Sequence, residues 1–146
     1  ERAYLFFNAR FFGGDLPIAA ITIEQARRRR CRGYFCARLW SDGERYLGHI
    51  AIHASVLDGT PEPALAVLLH EMVHLRNDDT GLPDCHNGNQ YHSRNFRDLA
   101  VLCGLYCGER DRRHGYALTD LDARGREAVR SLRPDPRVFR WVVRQS

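Results

Sequence analysis

Five consecutive residues, His70-Glu71-Met72-Val73-His74, constrain this chain more than any other stretch of its sequence. They lie in an apolar run that begins near Ala64, and Pro61 and Glu62 are typical of a first helical turn, so the pattern predicts one buried helix. Side chains four positions apart share a helix face, so both imidazoles can reach one metal ion. Two imidazoles and one further side chain suit zinc, which keeps a fourth position open for water.

Glu71 directly follows the first histidine and is placed to accept a proton from that water. This arrangement is typical of zinc metallopeptidases. A chance match on a buried helix is the alternative, but two histidines and a glutamate are costly to bury in so apolar a helix without partners. The motif therefore favours a catalytic zinc site.

A third ligand must come from another part of the chain, and several residues downstream are candidates. The histidines are His86, His92 and His114; the acidic residues are Asp78, Asp79, Asp84, Glu109 and Asp111. His92 fits best, because it opens an amphipathic segment and is expected in the first turn of a second helix packed against the first. His86 lies in a turn-rich loop with less positional control, and it remains an alternative together with an acidic ligand.

Three further motifs resemble the SprT-like metallopeptidases. Residues 5–8 with 11–17 look like the opening helix and turn of that family, and His92 with Phe96 is similar to its closing signature, a histidine with phenylalanine four residues on. Residues 115–119 resemble the Gly-aromatic-x-x-Thr segment of the shorter bacterial and mobile-element members. The resemblance spans roughly residues 4–119, but the four-cysteine zinc ribbon that many members carry is not visible.

The resemblance implies one zinc per chain, held by His70, His74 and His92, with Glu71 as the catalytic base. It also implies a protease related to those that digest proteins crosslinked to DNA. Tyr91, His114 and Tyr116 could each donate a hydrogen bond to the oxyanion that forms during peptide hydrolysis. We expect a zinc-dependent endopeptidase that acts on protein substrates; the alternative is a zinc-stabilised regulatory domain that binds nucleic acid or protein without turnover.

The pattern along the chain predicts one α+β domain over residues 1–146, with a small, mostly antiparallel sheet packed on helices in a zincin-like architecture. The expected helices are 1–12, 92–102, the motif helix ending near Asn77, and a helix through Leu132 capped by Thr119 or Asp120. The expected strands are 18–23, 33–40, 48–56 and 138–143. Within 48–56 we expect His49 and His53 to face solvent, and the strand to offer its edge to an extended peptide.

Charge and cysteine content limit which kinds of partner and which cellular compartment the sequence favours. All 22 basic residues are arginine, and the net charge is +4. Arg27, Arg28, Arg29 and Arg30, with Arg32 beyond them, form the densest run, which is either a solvated face or a contact to DNA phosphates.

Five cysteines, too few for a disulfide scaffold, favour a reduced, cytoplasmic protein with buried thiols. A second zinc site built from the pairs 31/36 and 103/107 is the less favoured alternative, because neither pair has C-x2-C spacing. No apolar run approaches the roughly 20 residues that span a bilayer, so no membrane partner is expected.

Overall fold

The computed structural model describes residues 1–25, 31–86, 88 and 90–141. Its helices are α1 (Arg2–Phe11), α2 (Pro61–Asp79), α3 (Arg94–Leu102) and α4 (Ala123–Leu132). Its strands are β1 (Ala19–Glu24), β2 (Gly33–Ser41), β3 (Tyr46–His53), β4 (Cys85–His86), β5 (Tyr91–His92), β6 (Leu105–Cys107) and β7 (Thr119–Leu121). Short 3-10 helices cover Ala54–Val56 and Pro136–Phe139. The fold is α+β, as the sequence predicts.

The main sheet has the strand order β1-β3-β2, which places β3 in the centre. Strand β3 is parallel to β1 and antiparallel to β2, so this sheet is mixed, whereas the two small two-stranded sheets are antiparallel. The expectation that β3 offers a free edge is therefore wrong, because both of its edges are hydrogen-bonded. Alternation of apolar residues indicates which face of a strand is buried, but not which strands become its neighbours.

Helix α2 packs on the sheet and forms the centre of the core. Leu69, Met72 and Val73 of α2 are fully buried. A Cβ atom at Gly33 would lie 2.6 Å from Val67 Cγ1, so this glycine allows α2 to approach the sheet closely. The helix is apolar nearly all round because α1, α3 and α4 cover the sides that the sheet does not.

The opposite face of β3 is also covered, which corrects the prediction for its histidines. His49 and His53 are each only 5% exposed. Trp40 Nε1 donates to His49 Nδ1 at 2.8 Å, and because an indole N–H can only donate, the His49 proton must be on Nε2. That nitrogen donates to Thr22 Oγ1 at 2.8 Å, and Thr22 donates to Glu24 Oε2 at 3.0 Å. Side chains from the neighbouring strands thus cover this face of β3 and form hydrogen bonds with both ring nitrogens of His49.

Several predicted boundaries also differ. Helix α2 ends at Asp79, two residues beyond Asn77. Residues 119–121 form β7, and α4 is capped by Asp122, whose Oδ1 accepts from Gly125 N at 2.9 Å. Where the last strand is expected, residues 136–139 form a 3-10 helix that begins at a proline, and residues 142 and 143 lie outside the described part. Asp135 caps this helical turn, because its Oδ1 accepts a hydrogen bond from Arg137 N at 3.0 Å.

Two global features concern cysteines and membranes. The five cysteines all lie in the described ranges, no disulfide links them, and Cys103 is buried. Within the same ranges, no helix combines the length and the apolar composition needed to cross a bilayer.

Candidate metal centre

Three imidazoles converge at one point between α2 and the β4–β5 hairpin. The Nε2 atom of His70 lies 3.3 Å from that of His74 and 3.3 Å from that of His92, and the remaining pair is 3.1 Å apart. Three nitrogens bound to tetrahedral zinc at about 2.0–2.1 Å would lie roughly 3.3 Å from one another. The three histidines therefore fit a zinc ion, and His70 and His92 are only partly buried.

His92 reaches this point from a strand, not from the first turn of a helix as expected. It belongs to β5, where it pairs with Cys85 of β4. Its N–H donates to His114 O at 2.9 Å, and its carbonyl accepts from Tyr116 N at 2.9 Å. Between them lies Gly115, with φ +64°, where a Cβ atom would stand 2.1 Å from His92 O. The backbone on both sides of β5 therefore fixes the position of His92.

The Nδ1 atoms of the two α2 histidines have partners of their own. His70 Nδ1 lies 2.6 Å from Thr119 Oγ1 on β7, and His74 Nδ1 lies 2.8 Å from Asp84 Oδ2. Asn77 Nδ2 also donates to Asp84 Oδ2, at 3.0 Å. In a neutral imidazole, a proton held on Nδ1 leaves the Nε2 lone pair free for a metal.

Sequence reasoning missed the contact of Thr119, although this residue closes the Gly-aromatic-x-x-Thr motif. Asp84 is one of the candidate ligands, but its carboxylate instead contacts the nitrogen of His74 that faces away from the triangle. A second group able to hold a metal comprises His74, Asp84 and Cys85, with Cys85 Sγ 3.9 Å from His74 Nδ1. His74 belongs to both groups. Because Asp84 and Cys85 contact its Nδ1 atom, we interpret them as residues that orient His74 within the first group.

Phe96 forms the floor of the centre. Its ring centroid lies 4.7 Å from His70, 4.5 Å from His74 and 4.8 Å from His92, and its side chain is fully buried. It projects from the first turn of α3, four residues after His92. This contact gives a physical reason for the four-residue spacing of the histidine and the phenylalanine.

Burial and the neighbouring charges set the protonation of the three imidazoles. Burial lowers the pKa of His70 well below its ordinary value, and it lowers the pKa of His92 to about 4. Burial also acts to lower the pKa of His74, but the contacts to Asp84 and Cys85 and the charge of Glu71 outweigh it and raise the pKa to about 10. A metal that binds to His74 must displace its Nε2 proton.

Glu71 is the remaining polar group of the centre. It is 5% exposed, and burial raises its pKa to about 7. Among the described residues, no hydrogen bond to its carboxylate is found. Glu71 lies close enough to His74 for their charges to interact, and a carboxyl group with a raised pKa beside three convergent imidazoles is a candidate functional group.

The other predicted site residues lie around this centre. His86 stacks on Tyr91 at 5.8 Å, outside the triangle of nitrogens. His114 is exposed beside Asp111, and the Arg97 guanidinium lies over the Tyr116 ring at 5.2 Å. The remaining acidic candidates, Asp78, Asp79, Glu109 and Asp111, belong to no metal-holding group of the described residues. Arg27, Arg28, Arg29 and Arg30 lie outside the described part of the chain.

Comparisons with protein-family models, with curated proteins and with solved structures find no match to this chain. The likeness to SprT-like metallopeptidases therefore rests on the motifs alone.

Proposed function

We propose that this protein is a zinc-dependent endopeptidase of SprT-like, zincin type. His70, His74 and His92 hold one zinc ion, and Glu71 is the general base. The observation that carries the proposal is the triangle of Nε2 atoms, 3.1–3.3 Å on each side, beside a buried carboxyl group. A purely structural zinc site needs four protein ligands and no base.

Hydrolysis of a peptide bond requires a proton to move from water to the leaving nitrogen. A zinc ion held by His70, His74 and His92 would polarise the scissile carbonyl and make its bound water more acidic. Glu71 takes the proton as the water oxygen attacks the carbonyl carbon, and it gives that proton to the amide nitrogen as the C–N bond breaks. Tyr91, His114 and Tyr116, close to β5, are the candidates to stabilise the oxyanion.

The test separates metal binding from chemistry. Glu71→Gln should keep one zinc per chain and lose cleavage of casein, because the amide cannot accept the proton. His92→Ala should lose zinc, whereas His86→Ala should keep it. A parent protein that holds one zinc and cleaves no unfolded substrate would instead be the zinc-stabilised regulatory domain.

The partners that we propose are protein substrates, including proteins associated with DNA, in a reducing compartment such as the cytoplasm. The arginine run 27–30, which leads into exposed Arg32, supports the DNA contact. A phosphate contact weakens steeply with salt and is indifferent to base sequence.

Replacing Arg28, Arg29 and Arg30 by glutamine should therefore flatten the salt dependence of DNA binding, as measured by fluorescence anisotropy. Unchanged binding in this triple variant, or no binding by the parent at low salt, would leave the run as a solvated face.

A further inference from the structure

A cavity of about 1160 Å³ opens between the N-terminal half of α2 and helix α4, and the residues of the metal centre do not line it. Ala66 in its wall lies four residues before His70, so the two share a face of α2, about 6 Å apart along the axis. Asp120, also in the wall, follows Thr119, whose hydroxyl contacts His70 Nδ1 at 2.6 Å. The cavity therefore begins about one helical turn from the metal centre.

Four arginines from separate parts of the chain line this cavity: Arg32 before β2, and Arg126, Arg130 and Arg133 on and after α4. Arg130 pairs with Glu127 at 2.8 Å, and Arg126 lies 4.0 Å from Asp120. Arg32 and Arg133 are exposed, and neither forms an ion pair with another residue of the described ranges.

Three acidic residues line the same cavity, and two of them are already engaged. Asp58 Oδ1 accepts hydrogen bonds from the backbone N–H and the hydroxyl of Thr60 at the start of α2. Asp120 faces Arg126. The third, Glu62, stands in the first turn of α2, where the helix dipole favours a negative charge. The lining thus holds four guanidinium groups against three carboxylates, and Arg32 and Arg133 are the two of these arginines that form no ion pair with a described residue.

The backbone of Arg133 is also unusual. It follows the last residue of α4 in the left-handed conformation, with φ 50° and ψ 59°. Glycine or asparagine commonly occupies this position, because a larger side chain is strained there. A strained arginine at the wall of a cavity is consistent with a binding role.

We infer that this cavity binds acidic side chains of the polypeptide substrate and so directs cleavage to acidic segments. The inference rests on the proposed peptidase function for its place beside the reacting bond. Guanidinium groups bind carboxylates through two parallel hydrogen bonds. The apolar wall residues Ala66, Val129 and Pro134 can contact the aliphatic stems of such side chains.

The first experiment measures binding without chemistry. Two flexible labelled peptides are compared by anisotropy, one with central Glu and Asp residues and one with Gln and Asn in their place. The parent protein should bind the acidic peptide at least about tenfold more tightly, the size expected for one charge-assisted pair. Arg32→Gln combined with Arg133→Asn should abolish this preference, and asparagine still tolerates the left-handed backbone.

The control removes the same charge elsewhere. Arg45→Gln with Arg110→Gln changes two exposed arginines that do not line the cavity, and it should leave the preference intact. Equal binding of the two peptides by the parent, or an unchanged preference in the Arg32/Arg133 variant, would overturn the inference. So would a single-stranded oligonucleotide that displaces the acidic peptide and binds about tenfold more tightly, because the site would then be a phosphate site.

The second experiment maps cleavage sites in an unfolded protein by mass spectrometry. The parent should cut near acidic residues, and the Arg32/Arg133 variant should cut with no such enrichment. Cleavage by the parent without acidic enrichment would refute the inference and leave the peptidase in place. A peptide preference without any cleavage would keep the acidic site and refute the peptidase.

Discussion

At the residue scale, the two ring nitrogens of His70, and likewise those of His74, have different contacts. Nε2 points to the shared centre, and Nδ1 contacts Thr119 or Asp84. Both partners hold the orientation of the ring, and the Asp84 carboxylate, which can only accept, also keeps a proton on His74 Nδ1. The contact of His70 depends on a single hydroxyl group and can therefore be tested with one substitution.

Thr119→Val should weaken zinc binding by about 10–100-fold, the range found when such outer partners are removed. Thr119→Ser keeps the hydroxyl group and should bind zinc like the parent. Titration against a chromogenic chelator measures both affinities. An affinity of Thr119→Val equal to that of the parent would show that the 2.6 Å contact has no role in holding His70.

Phe96 supports all three imidazoles, and Phe7 offers a matched control because both rings are fully buried. Phe96→Ala and Phe7→Ala should each cost about 3–5 kcal/mol of folding stability. Only Phe96→Ala should also lower the zinc affinity of the protein that remains folded. Denaturant unfolding and chelator titration separate the two effects, and equal zinc affinities in both variants would contradict the role of Phe96 as the floor of the centre.

At the scale of the elements, the position of His92, the third proposed ligand, depends on how β5 is held. Gly115 lies against the His92 carbonyl with φ +64°. An alanine at position 115 is unfavourable for two reasons. The left-handed backbone costs about 1–2 kcal/mol for a residue with a side chain. Its Cβ atom would also stand 2.1 Å from His92 O. This steric clash forces β5 to move.

Gly115→Ala should therefore lower stability and zinc affinity together. Gly13→Ala is the matched control, because Gly13 has φ +67° and a Cβ atom added there would meet no atom within 4 Å. Gly13→Ala should lower the free energy of unfolding only by the cost of the left-handed backbone, about 1–2 kcal/mol, and it should leave zinc affinity unchanged. If both variants bind zinc equally well, the close contact between Gly115 and β5 is not what positions His92.

The position of β3 also changes what can be expected of a bound peptide. Both edges of β3 are occupied, by β1 and β2. Proline at Ala51 or His53 would act inside the sheet and unfold it, so such variants report on stability and not on substrate docking. A substrate that pairs with this sheet must use the outer edge of β1 or of β2.

At the scale of the whole molecule, the candidate metal centre joins parts that are distant in sequence. The three imidazoles bring β5 against α2, and Thr119 connects β7 to the same point. A ligand that binds only the folded chain stabilises it by mass action, by about 2.7 kcal/mol at 100 times Kd.

Removal of zinc with EDTA should therefore lower the Tm by about 5–10 °C for a domain of this size. Addition of zinc should restore it in the parent and in Glu71→Gln, because Glu71 is not a ligand. In His70→Ala, zinc should have little effect. A Tm of the parent that is independent of zinc would argue against a bound ion.

Part of the fold and of the site follows from local sequence. The apolar run around the motif predicts α2, and its i, i+4 spacing places His70 and His74 on one face with Glu71 adjacent. The same reasoning finds α1 and most of α3. These features depend on helical periodicity, which acts over a few residues and needs no distant partner.

Only the tertiary structure decides the rest. It places His92 on a strand clamped by Gly115, gives Thr119 and Asp84 to the α2 histidines, and buries His49 at the centre of a mixed sheet. Each of these depends on contacts between segments far apart in the chain, because strand pairing and side-chain packing are set by the whole chain. Sequence determined which residues are available for the chemistry, and packing determined which of them meet.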